Sequence, residues 1–287
     1  MYWWPLTCIF LLISAICCSI GFKKFVYFLS IGYGFSVVGL GIAYTVVAFM
    51  HNTWDIIGLL FTILFIVYGI RLSGFLLVRE IKNASYRKVL KEATKDGEKK
   101  MPFAVKFAIW VSVSLLYFAE TCPVFYRAEN SLHTNIELLR FDNLSSVNFV
   151  GLIAPIVGFI ISVVGLLLET FADAQKTAQK KENPNMVATK KLYKMVRCPN
   201  YFGEIVFWTG VFVSGLQAFN NVGQWIMAIC GYICIVYVML DSAKRLDRRQ
   251  EKRYGQIVEY RQYADTTPLI IPLIPLYHLG KEKKEVK

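Results

Sequence analysis

Four groups of residues have the types and spacing to do chemistry. The first is Tyr68-Gly69-Ile70-Arg71, inside a long apolar run. Residues three apart share one face of a helix. A guanidinium beside a phenol favours the phenolate, so the hydroxyl becomes a better proton donor. An arginine within a membrane span costs roughly 2.5–3.5 kcal/mol on insertion scales, which turns it toward a protein interior or a wet cavity. The alternative is that Arg71 snorkels to the nearer membrane surface and Tyr68 is an interfacial aromatic.

The second group is Glu169, Asp173, Lys176 and Lys180, which fall on one helical stripe. Acid comes first and base last, which suits the helix dipole. Two lysines one turn apart can hold a phosphate, and a solvated basic face is the plainer reading. The third is Arg197-Cys198-Pro199-Asn200-Tyr201-Phe202-Gly203-Glu204. Pro199 extends the residue before it and opens a helix, whose free N–H groups beside Arg197 would attract an anion. Asn200 and Glu204 then project from one face, where together they could read an amide. The fourth is the tail pattern of Arg245, Asp247, Arg248, Arg249, Lys252, Arg253 and Tyr254, followed by Glu259, Tyr260 and Tyr263. Its helical offsets give a basic face for a ligand with several phosphates, or for anionic lipid headgroups.

The elements that must position these groups are apolar spans. The chain has 287 residues, 55% hydrophobic and 18% charged, with a net charge of +12 and a mean hydropathy of +0.45. A soluble domain of this length carries about 25% charged residues, so an ordinary soluble enzyme is disfavoured. Seven spans are expected: Trp3–Ile20, Phe25–Met50, Trp54–Val78, Pro102–Phe125, Val147–Leu168, Tyr201–Phe219 and Val222–Leu240. The first lacks the basic start and cleavage site of a signal peptide and is read as retained. The link at 21–24, the loop 79–101, the loop 169–200 and the tail 241–287 together hold 28 of the 32 Lys and Arg. That asymmetry puts these four segments in the cytosol, with the N-terminus outside and the C-terminus inside. The expected fold is therefore all-α and polytopic. It is a single membrane domain over 1–287, with three spans in 1–78, a cytosolic loop at 79–101, four spans in 102–240 and a basic tail at 241–287.

Other chemistries lack a signature. The seven cysteines have no paired spacing and the three histidines are scattered, so neither a disulfide framework nor a metal site is expected. No glycine-rich dinucleotide or Walker loop is present, and the basic residues sit between apolar stretches rather than on a nucleic-acid-binding face. Asn143-Leu144-Ser145 is a glycosylation triplet on the expected outer side.

Taken in this order, the motifs resemble the steroid 5-alpha-reductase-like family of membrane reductases, most closely its uncharacterised branch. The resemblance runs from about Phe61 to Tyr277 and is strongest from Glu169 to Gly203. The tail pattern is also similar to that of the sterol C14 and C7 reductases. The resemblance implies a cytosol-facing NADPH site and hydride addition to an activated C=C bond of a lipophilic substrate such as a steroid or other isoprenoid. It implies that Asn200, Tyr201 and Glu204 lie near the nicotinamide, and that Arg197, Arg245 and Arg248 hold phosphates. Lys176 and Lys180 would approach the 2′-phosphate, and Asp173, Tyr254 and Tyr260 would complete the cofactor site. Tyr68 and Arg71 would be the catalytic pair, with Tyr68 bonding the substrate carbonyl. Two departures are visible. Cys198 stands where the family has histidine, and no upstream glutamate partners Tyr68. The expected membrane is the endoplasmic reticulum of a eukaryotic cell or the inner membrane of a bacterium. Two other readings remain: an S-adenosylmethionine-dependent methyltransferase resembling the isoprenylcysteine carboxyl methyltransferases, and a non-enzymatic membrane protein.

Overall fold

A computed structural model of the chain describes residues 3–82, 101–131, 138–141 and 148–278. Most of the basic loop at 79–101 and the Asn143 triplet lie outside the described residues. The described residues form nine α-helices and no strand. They are α1 (Trp3–Cys18), α2 (Ile31–Met50), α3 (Ile56–Lys82), α4 (Phe103–Asn130), α5 (Ile153–Glu182), α6 (Leu192–Met195), α7 (Pro199–Ser214), α8 (Val222–Tyr254) and α9 (Val258–Thr266).

Local chemistry sets several helix starts. Asp55 Oδ1 accepts from the Gly58 N–H at 2.7 Å and so caps α3. Pro102 and Pro199 open α4 and α7. Asn221 Oδ1 accepts from the Gln224 N–H, while Gln224 Oε1 reaches back to the Asn220 N–H, a reciprocal cap for α8.

Six described segments are long and apolar enough to cross a membrane: Pro5–Phe22, Phe25–Met50, Ile56–Lys82, Phe103–Asn130, Phe149–Glu182 and Val222–Tyr254. These features mark an integral membrane protein. The remaining expected span, Tyr201–Phe219, corresponds to α7, a helix of 16 residues. At 1.5 Å per residue it is roughly 24 Å long, short of a hydrocarbon core of about 30 Å. Two helices also run well past the expected membrane boundaries. α5 continues to Glu182 and α8 to Tyr254, both ending in basic residues that complement the helix dipole.

The chain, expected to form a single domain, divides into two compact units. The first comprises Met1–Phe159 and Val211–Tyr232. In it α2 and α3 approach closely at a glycine pair. A Cβ at Gly34 would stand 2.6 Å from the Gly69 carbonyl oxygen, so neither position tolerates a side chain without a shift. Asp55 and Arg127 form a buried ion pair, with Arg127 Nη2 2.8 Å from Asp55 Oδ2.

The second unit comprises Ile160–Gly210 and Ile233–Lys287. Here α5 and α7 meet through Gly165 and Gly203. A Cβ at Gly165 would lie 2.7 Å from the Gly203 carbonyl oxygen. The Ser162 hydroxyl donates to the Phe207 carbonyl at 2.9 Å across the same crossing. The segment after α9 turns back on the start of α7. The N–H groups of Arg197 and Cys198 donate to the carbonyls of Pro268 and Leu269, both at 2.8 Å.

Candidate functional site

The second unit contains a cavity of about 180 Å³. Its cationic lining comes from two helices. Lys176 and Lys180, one turn apart on α5, face it, as do Arg249 and Arg253, one turn apart on α8. Arg197 and Asn200 at the start of α7 also line it, with Tyr193, Tyr254 and Tyr263 as the aromatic wall. No acidic residue is in the lining among the described residues. The hollow is thus lined by cations and edged by aromatic rings.

Glutamines hold the intervening loop on α5. Gln179 Oε1 accepts from the N–H groups of Thr189 and Lys190, both at 2.9 Å, and Gln175 Oε1 accepts from the Leu192 N–H at 3.0 Å. The loop passes through Lys191 at a φ of 59°, a backbone region that side-chain-bearing residues rarely adopt. This bend starts α6 and delivers Tyr193, whose hydroxyl donates to the Ala172 carbonyl and whose carbonyl accepts from the Tyr263 hydroxyl at 2.7 Å.

Tyr254 is clasped by two cations. Lys180 Nζ donates to its hydroxyl at 2.8 Å and lies 4.9 Å from its ring centroid, while the Arg253 guanidinium lies 5.3 Å from that centroid. Positive charge held against an aromatic face is worth roughly 0.5–2 kcal/mol and fixes the lysine at the rim.

Arg197 serves differently from the expected phosphate holder. Its side chain is fully buried and Nη2 lies 2.5 Å from Asp247 Oδ1. Nη1 donates to the Tyr277 carbonyl at 2.9 Å, and Nη2 also reaches the Tyr260 hydroxyl at 3.3 Å. Its charge is already neutralised beneath the cavity, whereas Arg249 and Arg253 are exposed. Tyr260, fully buried, belongs to this substructure rather than to the lining. Burial pushes the Tyr260 phenol up to about 12, against the lowering effect of Arg197. Burial also pushes the Cys198 thiol up to about 12, and the phenols of Tyr193 and Tyr263 upward. All four are protonated at neutral pH and can donate hydrogen bonds.

Other sequence-predicted residues fall outside the lining. Arg245 is exposed and ion-paired with Asp241 on its own helix. Arg248 is exposed and does not line the cavity. At 100° per residue, Leu246, Arg249, Gln250, Arg253 and Tyr254 fall within a sector of about 140° that excludes both arginines. Asp247, directed at Arg197, sets that rotation. Asp173 and Tyr201 are half-buried, and Glu204 is buried at 6% exposure, none of them in the lining. Spacing alone did not single out Gln175, Gln179, Tyr193 and Gln250. The readable signal was the four-residue repeat of Gln175 with Gln179 and of Arg249 with Arg253.

Tyr68 and Arg71 belong to the first unit. Tyr68 is fully buried and its hydroxyl donates to the Tyr33 hydroxyl at 3.1 Å. Tyr33 stacks on Tyr117, centroids 4.7 Å apart, and Tyr117 donates to the Phe28 carbonyl at 2.8 Å. Arg71 lies half-buried one turn further along α3. No group of three or more His, Cys, Asp or Glu suited to a metal ion occurs among the described residues.

Residues 32–267 match the family described as a protein of unknown function, DUF1295. The match covers most of the chain, which therefore belongs to that family. No curated protein and no solved structure is detectably similar to it.

Proposed function

We propose that this membrane protein is an NADPH-dependent reductase that adds hydride to an activated C=C bond of a lipophilic substrate. The observation that carries the reading is the convergence of Lys176, Lys180, Arg249 and Arg253 with three tyrosines on one hollow that has no acid in its lining among the described residues. A dinucleotide phosphate presents several anionic groups between flat rings, and this lining answers both features. S-adenosylmethionine carries no phosphate and a single carboxylate, so it would leave most of these four cations without an anionic partner. The enclosed volume of about 180 Å³ is below the roughly 300–1,000 Å³ of a typical ligand cleft. It suits one phosphate-bearing end of the cofactor, with the remainder along the open side.

NADPH supplies the hydride when bound. The chain's own residues then have three tasks. Lys176, Lys180, Arg249 and Arg253 hold phosphate, and Asn200 offers an amide partner at the α7 start. Arg197, paired with Asp247, supports the floor rather than the ligand. In the first unit, Tyr68 is the proposed donor to the substrate carbonyl oxygen, where negative charge develops during hydride addition. One well-placed donor of this kind contributes roughly 2.7–4 kcal/mol in other enzymes. The proposed topology has seven crossings, with α7 as the short one, the cavity side in the cytosol and the N-terminus outside.

Thermal stabilisation of the detergent-solubilised chain tests the cofactor reading. NADPH is expected to raise the midpoint more than NADH does, and S-adenosylmethionine is expected to leave it unchanged. Arg249→Ala should weaken the NADPH effect by about tenfold or more in concentration, the scale of one charge-assisted hydrogen bond. Arg245→Ala should leave it within about twofold, because that side chain is engaged with Asp241. A shift with S-adenosylmethionine alone would transfer the assignment to a methyltransferase, and no shift with any of the three would remove the enzymatic reading.

A further inference from the structure

We propose that the apolar turn from Leu269 to Leu276 is a lipid-inserting tip by which the cavity-bearing unit grips the acyl region of the bilayer. The eight residues are Leu-Ile-Ile-Pro-Leu-Ile-Pro-Leu, with no polar side chain among them. Turns in water are built from Gly, Asn, Asp, Ser and Pro. Here the position that takes the left-handed conformation is Leu273, at a φ of 66°. That conformation is rare for a residue with a branched apolar side chain. Leu273 is also 98% exposed, and Ile274 and Pro275 beside it are exposed.

Five of the eight backbone positions of the tip present no unsatisfied N–H. Pro272 and Pro275 carry no N–H. Ile274 donates to the Ile271 carbonyl at 3.4 Å, Leu276 to the Ile274 carbonyl at 2.7 Å and Leu269 to the Leu276 carbonyl at 2.8 Å. Each donor so removed or satisfied is one fewer group to strip of water on entering hydrocarbon. The roots of the turn are fixed as well. Pro268 and Leu269 accept from the start of α7, and the Tyr277 carbonyl accepts from the buried Arg197. The tip is therefore presented on a braced stem. Exposed Arg261 and Asp265 lie nearby in the chain, and the net basic run Lys281-Glu282-Lys283-Lys284-Glu285 follows in the sequence. Basic residues flanking an apolar insertion suit anionic headgroups. Lipid is the occupant because a chain with six membrane-length apolar helices already has it as solvent.

The test uses the full chain with exposed Cys8, Cys230 and Cys234 replaced by serine. An environment-sensitive fluorophore is attached at Leu273→Cys, or at Gln256→Cys as an exposed control in the same unit. Both are placed in nanodiscs whose phospholipids carry bromine on the acyl chains. The probe at position 273 should be blue-shifted and quenched several-fold more strongly than the probe at 256. Equal, weak quenching at both positions overturns the proposal. A blue shift at 273 without bromine quenching also overturns it, since a protein partner or a second copy would then cover the tip. The readout reports depth only, so its failure leaves the cofactor reading intact.

Discussion

Tyr68, the proposed donor, and Cys198 can each be tested by a single substitution, one on turnover and one on stability. Tyr68 has its hydroxyl in a buried chain of phenols, donating to Tyr33. Removing that hydroxyl deletes a proton donor and leaves the ring and its packing in place. Tyr68→Phe is expected to lower turnover by about 10²-fold, the low end for a general acid, with NADPH affinity within about twofold of the parent. Equal turnover in this variant would take Tyr68 out of the mechanism. Cys198, buried at the start of α7, acts on stability instead. An ordinary thiol titrates near about 8.5, whereas burial pushes this one up to about 12. The unfolded chain therefore releases the proton first. The contribution is fully present below about 8.5 and is lost as pH rises toward the folded value. Over pH 9–10 the thermal midpoint of the parent should fall more steeply than that of Cys198→Ala. Parallel profiles would mean the thiol is not held protonated.

At the scale of elements, the Arg197–Asp247 pair ties the start of α7 to the last quarter of α8 and fixes which arginines face the cavity. Two side chains this buried, at 0% and 3% exposure, are costly to separate. Asp247→Ala strands an uncompensated guanidinium and is expected to destabilise by roughly 3–5 kcal/mol, lowering the midpoint by about 10 °C on the usual scaling for a chain this size. A midpoint within a degree of the parent would show that the pair is not structural. Replacing both partners with leucine and methionine should recover much of the loss. The same pair explains what the sequence could not disclose. Span positions were legible because hydropathy is local, and Phe25–Met50 recurs with the same bounds. Lys176 and Lys180 were legible because one-turn spacing is local too. The rotation of α8 depends on a contact 50 residues away; spacing put Arg245, Arg248, Arg249 and Lys252 on one face and the resemblance chose Arg245 and Arg248, whereas the cavity lining has Arg249 and Arg253. The helical continuations toward Glu182 and Tyr254 were legible from the side-chain stripes at 169–180 and 245–252, not from hydropathy. Hydropathy reports where apolar character stops, not where the backbone stops being helical.

For the whole molecule, charge and helix direction together constrain the path of the chain. α5 ends in Lys180 and Lys181, and α8 ends in Lys252 and Arg253. Both basic ends belong on the cytosolic side by the positive-inside rule. If both helices cross, α8 must begin on the opposite side from where α5 ends. The only segment between them is 183–221, whose longest helix is α7, with 16 residues. A short helix can still cross where the bilayer thins around it, at a cost of fractions of a kcal/mol per Å of mismatch. The proposed seven crossings, with the ends of the chain on opposite faces, rest on α7 being such a helix. Cysteines introduced one at a time at Lys190 and Asn221, in a background lacking Cys8, Cys17, Cys230 and Cys234, separate the alternatives in sealed vesicles of known orientation. A membrane-impermeant maleimide should reach one of the two positions and spare the other. Labelling of both from the same side would leave α7 as a non-crossing helix. The basic ends of α5 and α8 would then lie on opposite faces, and the four cavity cations could no longer meet at one membrane surface.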